Sequence, residues 1–219
     1  MMSNIFKYKA LLFIITCISI SGCITDNILW FVNKDKNYER INKVFNKYVD
    51  FFPSSEEAYS LNTTWSLSSE DEYNIKAVFK FKDKSLFHQI NEEIKSNSVI
   101  KYKADEECLL VLNRFTTNSN YGYPSNSEVI DSLINLECYE NLYPIPNFSN
   151  FDDYQTNKTQ CKLSSDFVIY VLDSKLGKFL PKSDITKGKY MPKKWRNGLS
   201  RGVALSEKRE IAIYWIIIW

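Results

Sequence analysis

The last ten residues, EIAIYWIIIW (210–219), constrain the fold more than any other stretch of the chain. From 211 onward nine consecutive residues are apolar, and as a helix they would rise only about 14 Å, half of a hydrocarbon core. A strand crossing a bilayer within a β-barrel alternates apolar and polar positions, and this one does not. Its isoleucines and aromatics favour extended backbone. With no polar face to turn to solvent, such a strand belongs inside a sheet that is covered on both sides. Left uncovered, it would pair with other chains. Residues 202–205 are also apolar, and Glu207-Lys208-Arg209 lies between the two runs, so a C-terminal hairpin is predicted.

Other segments supply the sheet's neighbours. Residues 73–82 alternate, with Tyr73, Ile75, Ala77, Phe79 and Phe81 facing one way and Asn74, Lys76, Lys80 and Lys82 the other, the pattern of a half-buried strand. Asp83 offers a side-chain oxygen as a helix cap, and Leu86, Phe87, Ile90 and Ile94 then form an apolar stripe running to about residue 96. Strands are predicted at 99–103, 108–115 and 166–172. Two further helices are predicted. Residues 38–52 align Ile41, Val44, Phe45, Tyr48 and Phe52 before Pro53, and a second helix follows Ser127 with Val129, Ile130, Leu133, Ile134 and Leu136 inward. The stretch SSEEAYSLNTTWSLSSEDE reads as a polar loop with at most one short strand. Together these predict an α+β fold: a mostly antiparallel sheet with two or three helices and a C-terminal β-hairpin in a single domain.

The other end of the chain speaks to location. Lys7 and Lys9 precede an apolar stretch of eleven residues, ALLFIITCISI (10–20), and small residues follow. A basic start, a short apolar centre and small residues at the end are the parts of a secretory signal. Ile20-Ser21-Gly22-Cys23 resembles the bacterial lipobox. The resemblance covers this segment alone. It implies that the Cys23 thiol receives a diacylglyceryl group, that the chain is cut before Cys23, and that the new amine is acylated. Several acyl chains then anchor the protein stably, where one alone would bind only marginally. The expected organisation is a signal peptide at 1–22, a lipidated tether at 23–36 and a periplasmic domain at 37–219. In this family an Asp directly after the cysteine retains a protein in the inner membrane. Ile24-Thr25-Asp26 stands here instead, which favours the periplasmic leaflet of the outer membrane.

With that leader removed, Cys108, Cys138 and Cys161 remain in the body. An oxidising envelope and an odd set suggest one disulfide and one buried thiol. Cys138 with Cys161 is the expected pair, closing the irregular stretch between them, with Cys108 a small hydrophobe inside an apolar strand. A zinc site is disfavoured, because there is no Cys-x-x-Cys and His88 is the only histidine.

Catalytic constellations are not legible. His88 falls mid-helix without a Ser or Cys partner, and Ser98-Val99-Ile100-Lys101 fits Ser-x-x-Lys away from any helix start. No glycine-rich phosphate loop or alternating run of oxygen ligands occurs, so neither a cofactor nor a metal is called. Charge is more informative. Residues 104–173 carry eleven acids and three bases, while 174–209 carry eleven bases and two acids. Without Lys7 and Lys9 the body has 26 of each sign, so neutrality hides two opposed blocks. They either fold against each other or present a basic face to an anionic partner, a protein or lipid head groups; nucleic acid is disfavoured by location. Within the basic block, YMPKKWRNGLSRG interleaves Tyr190 and Trp195 with Lys193, Lys194, Arg196 and Arg201, which is the candidate binding surface; the rival reading is a loop whose Trp195 plugs the core.

Two functional readings follow. The favoured one is a non-enzymatic, lipid-anchored envelope protein that binds another protein or the cell surface, an immunity-type lipoprotein that neutralises a toxin being one variant. The alternative is an envelope hydrolase whose acidic catalytic residues are scattered through the fold. A deep pocket holding two carboxylates in unlike environments would favour the enzyme, and a flat, exposed basic-aromatic face with no such pocket the binder.

Overall fold

The apolar C-terminal run is an inner strand with neighbours on both edges and cover on both faces. In the computed structural model the described residues are 44–54, 56–67, 73–112, 137–149, 151, 153–156, 158–180 and 191–219. The chain divides into two units, Met1–Ser55 and Glu56–Trp219. In the first, residues 44 and 45 are helical and a 3-10 turn follows at Asn46–Tyr48. The helix expected to reach 52 therefore stops at Tyr48, and residues 38–43 lie outside the described residues.

Among the described residues the second unit holds six strands and one α-helix. These are β1 (Ala58–Leu67), β2 (Tyr73–Phe81), α1 (Lys84–Asn97), β3 (Ile100–Lys103), β4 (Val168–Leu176), β5 (Gly198–Ser206) and β6 (Ile211–Ile218). They form one sheet in the order β1-β2-β6-β5-β4-β3, and every pairing is antiparallel. All eight residues of β6 are buried. The predicted hairpin forms, Ser206 standing opposite Ile211.

Register assigns the faces. Ile211, Ile213, Trp215 and Ile217 share one face with Val78, Ala204, Ile169 and Tyr102, by cross-strand pairing. This face is covered by irregular chain, in which Leu109, Leu110, Val111, Leu112, Ile145, Phe148, Phe151 and Leu163 pack with the sheet in one core cluster. The helix serves the opposite face. The Asp83 carboxylate accepts from the Leu86 amide at 2.8 Å, as predicted, and Phe87, Asn91 and Ile94 are the buried positions.

The expected α+β fold with two or three helices is overturned. The described residues are mostly sheet, with α1 as the single α-helix. The layer opposite α1, where more helix might have been placed, is built from turns and isolated bridges such as Val111 with Ile145 and Gln155 with Leu163. The helix predicted after Ser127 lies outside the described residues.

Three strand expectations also change. The stretch around SLNTTWSL, read as a polar loop with at most one short strand, is the ten-residue β1, an edge strand whose outer positions have no need to be apolar. The strand expected at 108–115 is irregular chain as far as 112, with a single bridge at Val111. The half-buried β2 is buried on both faces apart from Lys80, because the covering segment at 145–148 lies across it. Lys76 remains inside by donating to the Asn147 carbonyl at 2.9 Å.

Candidate binding groove

Beyond β3 the sheet is stepped. β3 pairs only with Val168–Val171 of β4, ending where the Val99 amide donates to the Val171 carbonyl at 2.9 Å. β4 shifts register between Val171 and Asp173 and continues against β5 alone as far as Leu176 opposite Gly198. Gly177 follows with a φ of +130°, a conformation that only glycine adopts readily, and turns the chain so that the Phe179 ring passes close to it.

Over this projecting end lies a groove of about 580 Å³, lined by Asn141, Leu142, Tyr143, Ser174, Lys175, Leu176, Phe179, Lys194 and Trp195. Trp195 forms its floor. It is 4% exposed, packs edge-on against Tyr143 and tilted against Trp219, and donates from its indole nitrogen to the Leu142 carbonyl at 3.1 Å. Trp219 in turn donates to the Trp195 carbonyl at 2.7 Å, which ties the groove to the end of β6. Tyr143 is held from the other side, its amide donating to the Tyr102 hydroxyl at 2.9 Å. Burial pushes the Tyr102 phenol up to about 12, so it remains neutral while accepting that bond.

The charged side chains in the groove's lining are both cationic. Lys194 donates to the Glu140 carbonyl at the rim, and Lys175 pairs with Asp173 at 2.8 Å. Lys178, Lys193 and Arg196 are exposed beside the lining residues. The Ser174 hydroxyl is already committed to the Leu199 carbonyl. No carboxylate side chain is among the described lining residues. Two lysines and three aromatic rings in one lining suit an anionic, partly apolar ligand.

The predicted surface is thus only partly assembled. Lys193, Lys194 and Arg196 are exposed as expected, but Trp195 is a core residue and not an exposed anchor, because its indole fills the space between residues 142–143 and Trp219. Arg201 is half-buried beside Asp173 at 3.9 Å. Tyr190 lies outside the described residues, as does Cys23. Sequence reading missed Tyr143, Leu176 and Phe179. The only signal they carried was an apolar pair, Leu176 and Phe179, just past a strand end in DSKLGKFL.

The opposed charge blocks do partly fold against each other. Arg209 donates to both Asp166 oxygens, at 2.8 and 3.4 Å, and Ser206 donates to the same carboxylate at 2.6 Å. These bonds, Arg209's first, hold the Asp166 carboxyl well below the usual carboxylate range. On the helix side, Lys95 and Asn91 both donate to Glu207 in the β5–β6 turn.

The expected Cys138–Cys161 disulfide is not the one formed. Cys108 is bonded to Cys138, with Cα atoms 6.3 Å apart, and Cys161 is a free, buried thiol. The Leu112 amide donates to the Ile145 carbonyl and the Ile145 amide to the Leu110 carbonyl, which brings 108–112 alongside the segment that follows Cys138. Cys161 instead packs in the core cluster, its thiol 3.4 Å from the Ala104 carbonyl, and burial pushes it up to about 11. His88 is exposed on α1.

No helix among the described residues is long and apolar enough to cross a membrane. No protein-family model, curated protein or solved structure matches the chain.

Proposed function

We propose that this chain is a lipid-anchored lipoprotein of a bacterial envelope, held through acyl chains on Cys23, whose sheet domain is a binding module and not an enzyme. The observation that carries the anchor is Ile20-Ser21-Gly22-Cys23 closing a short apolar run with a basic start. The Cys108–Cys138 disulfide supports an oxidising compartment independently of that leader. Ile24 in the place of an Asp favours the periplasmic leaflet of the outer membrane. Fatty-acid labelling tests the anchor: label is expected on the parent and not on Cys23→Ala. A Cys23→Ala variant that still takes label, or a natural product with an unmodified Cys23, would overturn it.

Binding is favoured over hydrolysis by the composition of the groove, where ammonium groups and rings converge without a carboxylate pair. The partner class that fits is an anionic protein surface. Cross-linking in intact envelopes, followed by capture, is expected to recover partners that are lost when Lys193, Lys194 and Arg196 are all changed to Glu. An unchanged partner set would reduce the basic face to solvated surface.

A further inference from the structure

We propose that the projecting end of β4 is a strand-addition site. It takes an extended acidic segment of a partner protein, pairs with it through the main chain at Ser174 and Leu176, and seats one of its apolar side chains in the groove. The proposal deepens the binding reading above and rests on it, but is independent of the anchor at Cys23.

The phase of the β4–β5 ladder makes the case. The Gly177 amide donates to the Asn197 carbonyl at 3.2 Å. In an antiparallel pair, alternate residues direct their backbone groups to the same neighbour, so 173 and 175 turn theirs toward β5 along with 177. A Cβ built on Gly198 would stand 2.9 Å from the Lys175 carbonyl oxygen, which agrees with that carbonyl facing β5. The N–H and C=O groups of Ser174 and Leu176 therefore point to the edge that β3 has already left. Among the described residues no backbone group pairs with them there. An open row of donors and acceptors is completed by another extended backbone.

Side chains on this edge match a peptide rather than solvent. Leu176, the last residue of β4, is 56% exposed, with Phe179 and Tyr143 beside it in the groove. By register Ser174 and Leu176 share the face of Ser200 and Gly198, the face on which Trp195 and Trp219 pack. One side chain of an added strand would fall into this cleft, while its neighbours along the edge would meet Lys178, Lys193, Lys194 and Arg196. Asp173 offers little repulsion, since Lys175 and Arg201 already attend its carboxylate. The charge balance commits the occupant to an acidic segment.

The full-length protein in detergent is titrated with seven-residue peptides in which glutamate alternates with phenylalanine, valine or leucine, and with the same set carrying lysine for glutamate. At least one acidic member should bind saturably, tenfold or more tightly than its lysine counterpart, and should slow amide exchange at Ser174 and Leu176. Methylating the peptide's amides along one edge should weaken binding tenfold or more, while methylating those along the other edge should not. Leu176→Pro removes an outward amide that the β5 ladder does not use, and should weaken binding to the same extent; Leu176→Ala, which keeps the amide, should weaken it less. The proposal is overturned if no acidic peptide outbinds its lysine counterpart, if methylation is tolerated on both edges, or if a well-folded Leu176→Pro binds like the parent. A dimer dissolved by Leu176→Pro would assign the edge to a second copy, and would equally overturn it. Failure of lipidation at Cys23 would move none of these readouts.

Discussion

Trp215 and Gly202 face each other across β5 and β6, and the pair shows how a single position can carry a fold. A Cβ on Gly202 would lie 2.2 Å from the Tyr170 carbonyl oxygen and 2.6 Å from the Trp215 ring. Neither can yield, because one is backbone and the other is fully buried. Gly202→Ala is expected to lose about 3 kcal/mol in urea denaturation, at the upper end of overpacking costs. Asp166 is a different kind of residue-scale feature. Its carboxyl is held low in the folded protein by Arg209 and Ser206, so its contribution is present above the ordinary carboxylate value near pH 4. That contribution is lost as pH falls through the folded value. Arg209 is more than a third exposed, so screening limits it to about 1 kcal/mol. Asp166→Asn should therefore be less stable at pH 7 yet lose less on acidification, as read from urea midpoints across pH 2–7.

At the scale of elements, α1 is the part most readable in advance. Its cap at Asp83 and the buried Phe87 and Ile94 follow from local chemistry that any neighbouring chain would leave unchanged. Asp83→Ala should cost about 1 kcal/mol, with Asp83→Asn retaining most of the stability; a thermal shift as large for the Asn variant would contradict the capping role. Asn91 was not readable. It is polar on the buried stripe because Glu207, more than a hundred residues away in sequence, accepts from it at 2.9 Å. The length of β1 escaped notice for the converse reason: strand propensity depends on which faces are buried, and an edge strand need not look apolar. The groove was half legible. Lys193, Lys194 and Arg196 announce a basic surface, but whether Trp195 points out or in is a packing outcome.

The described residues of the second unit form a sheet with a helix on one face and irregular chain on the other, and a disulfide ties the irregular face. Cys108–Cys138 closes a separation of 30 residues, which by loop entropy is worth about 3–4 kcal/mol. Cys108→Ser or Cys138→Ser should lose about that much and should loosen the layer around Leu109–Leu112 in amide exchange. Peptide mapping after alkylation should show Cys161 blocked only once the protein is unfolded, its thiol being buried and pushed up to about 11. Early alkylation of Cys161 in the folded protein would contradict the pairing. The disulfide also steadies the groove, since Asn141–Tyr143 follow directly on the turn that carries Cys138.

What the amino-acid sequence alone determined is whatever depends on near neighbours. An unbroken run of isoleucine, tryptophan and tyrosine can be soluble only inside a doubly covered sheet, and β6 is such a strand. The cap of α1, the final hairpin and the antiparallel pairing follow from the same local rules. Tertiary structure alone decided which cysteines meet, how many helices the covering layers hold, and where β3 stops short of the end of β4. Those outcomes depend on distances between residues tens of positions apart, and no local pattern encodes such distances. They arise only when a continuous core is filled, which is why the exposed step at Ser174 and Leu176 became visible in the fold and not before.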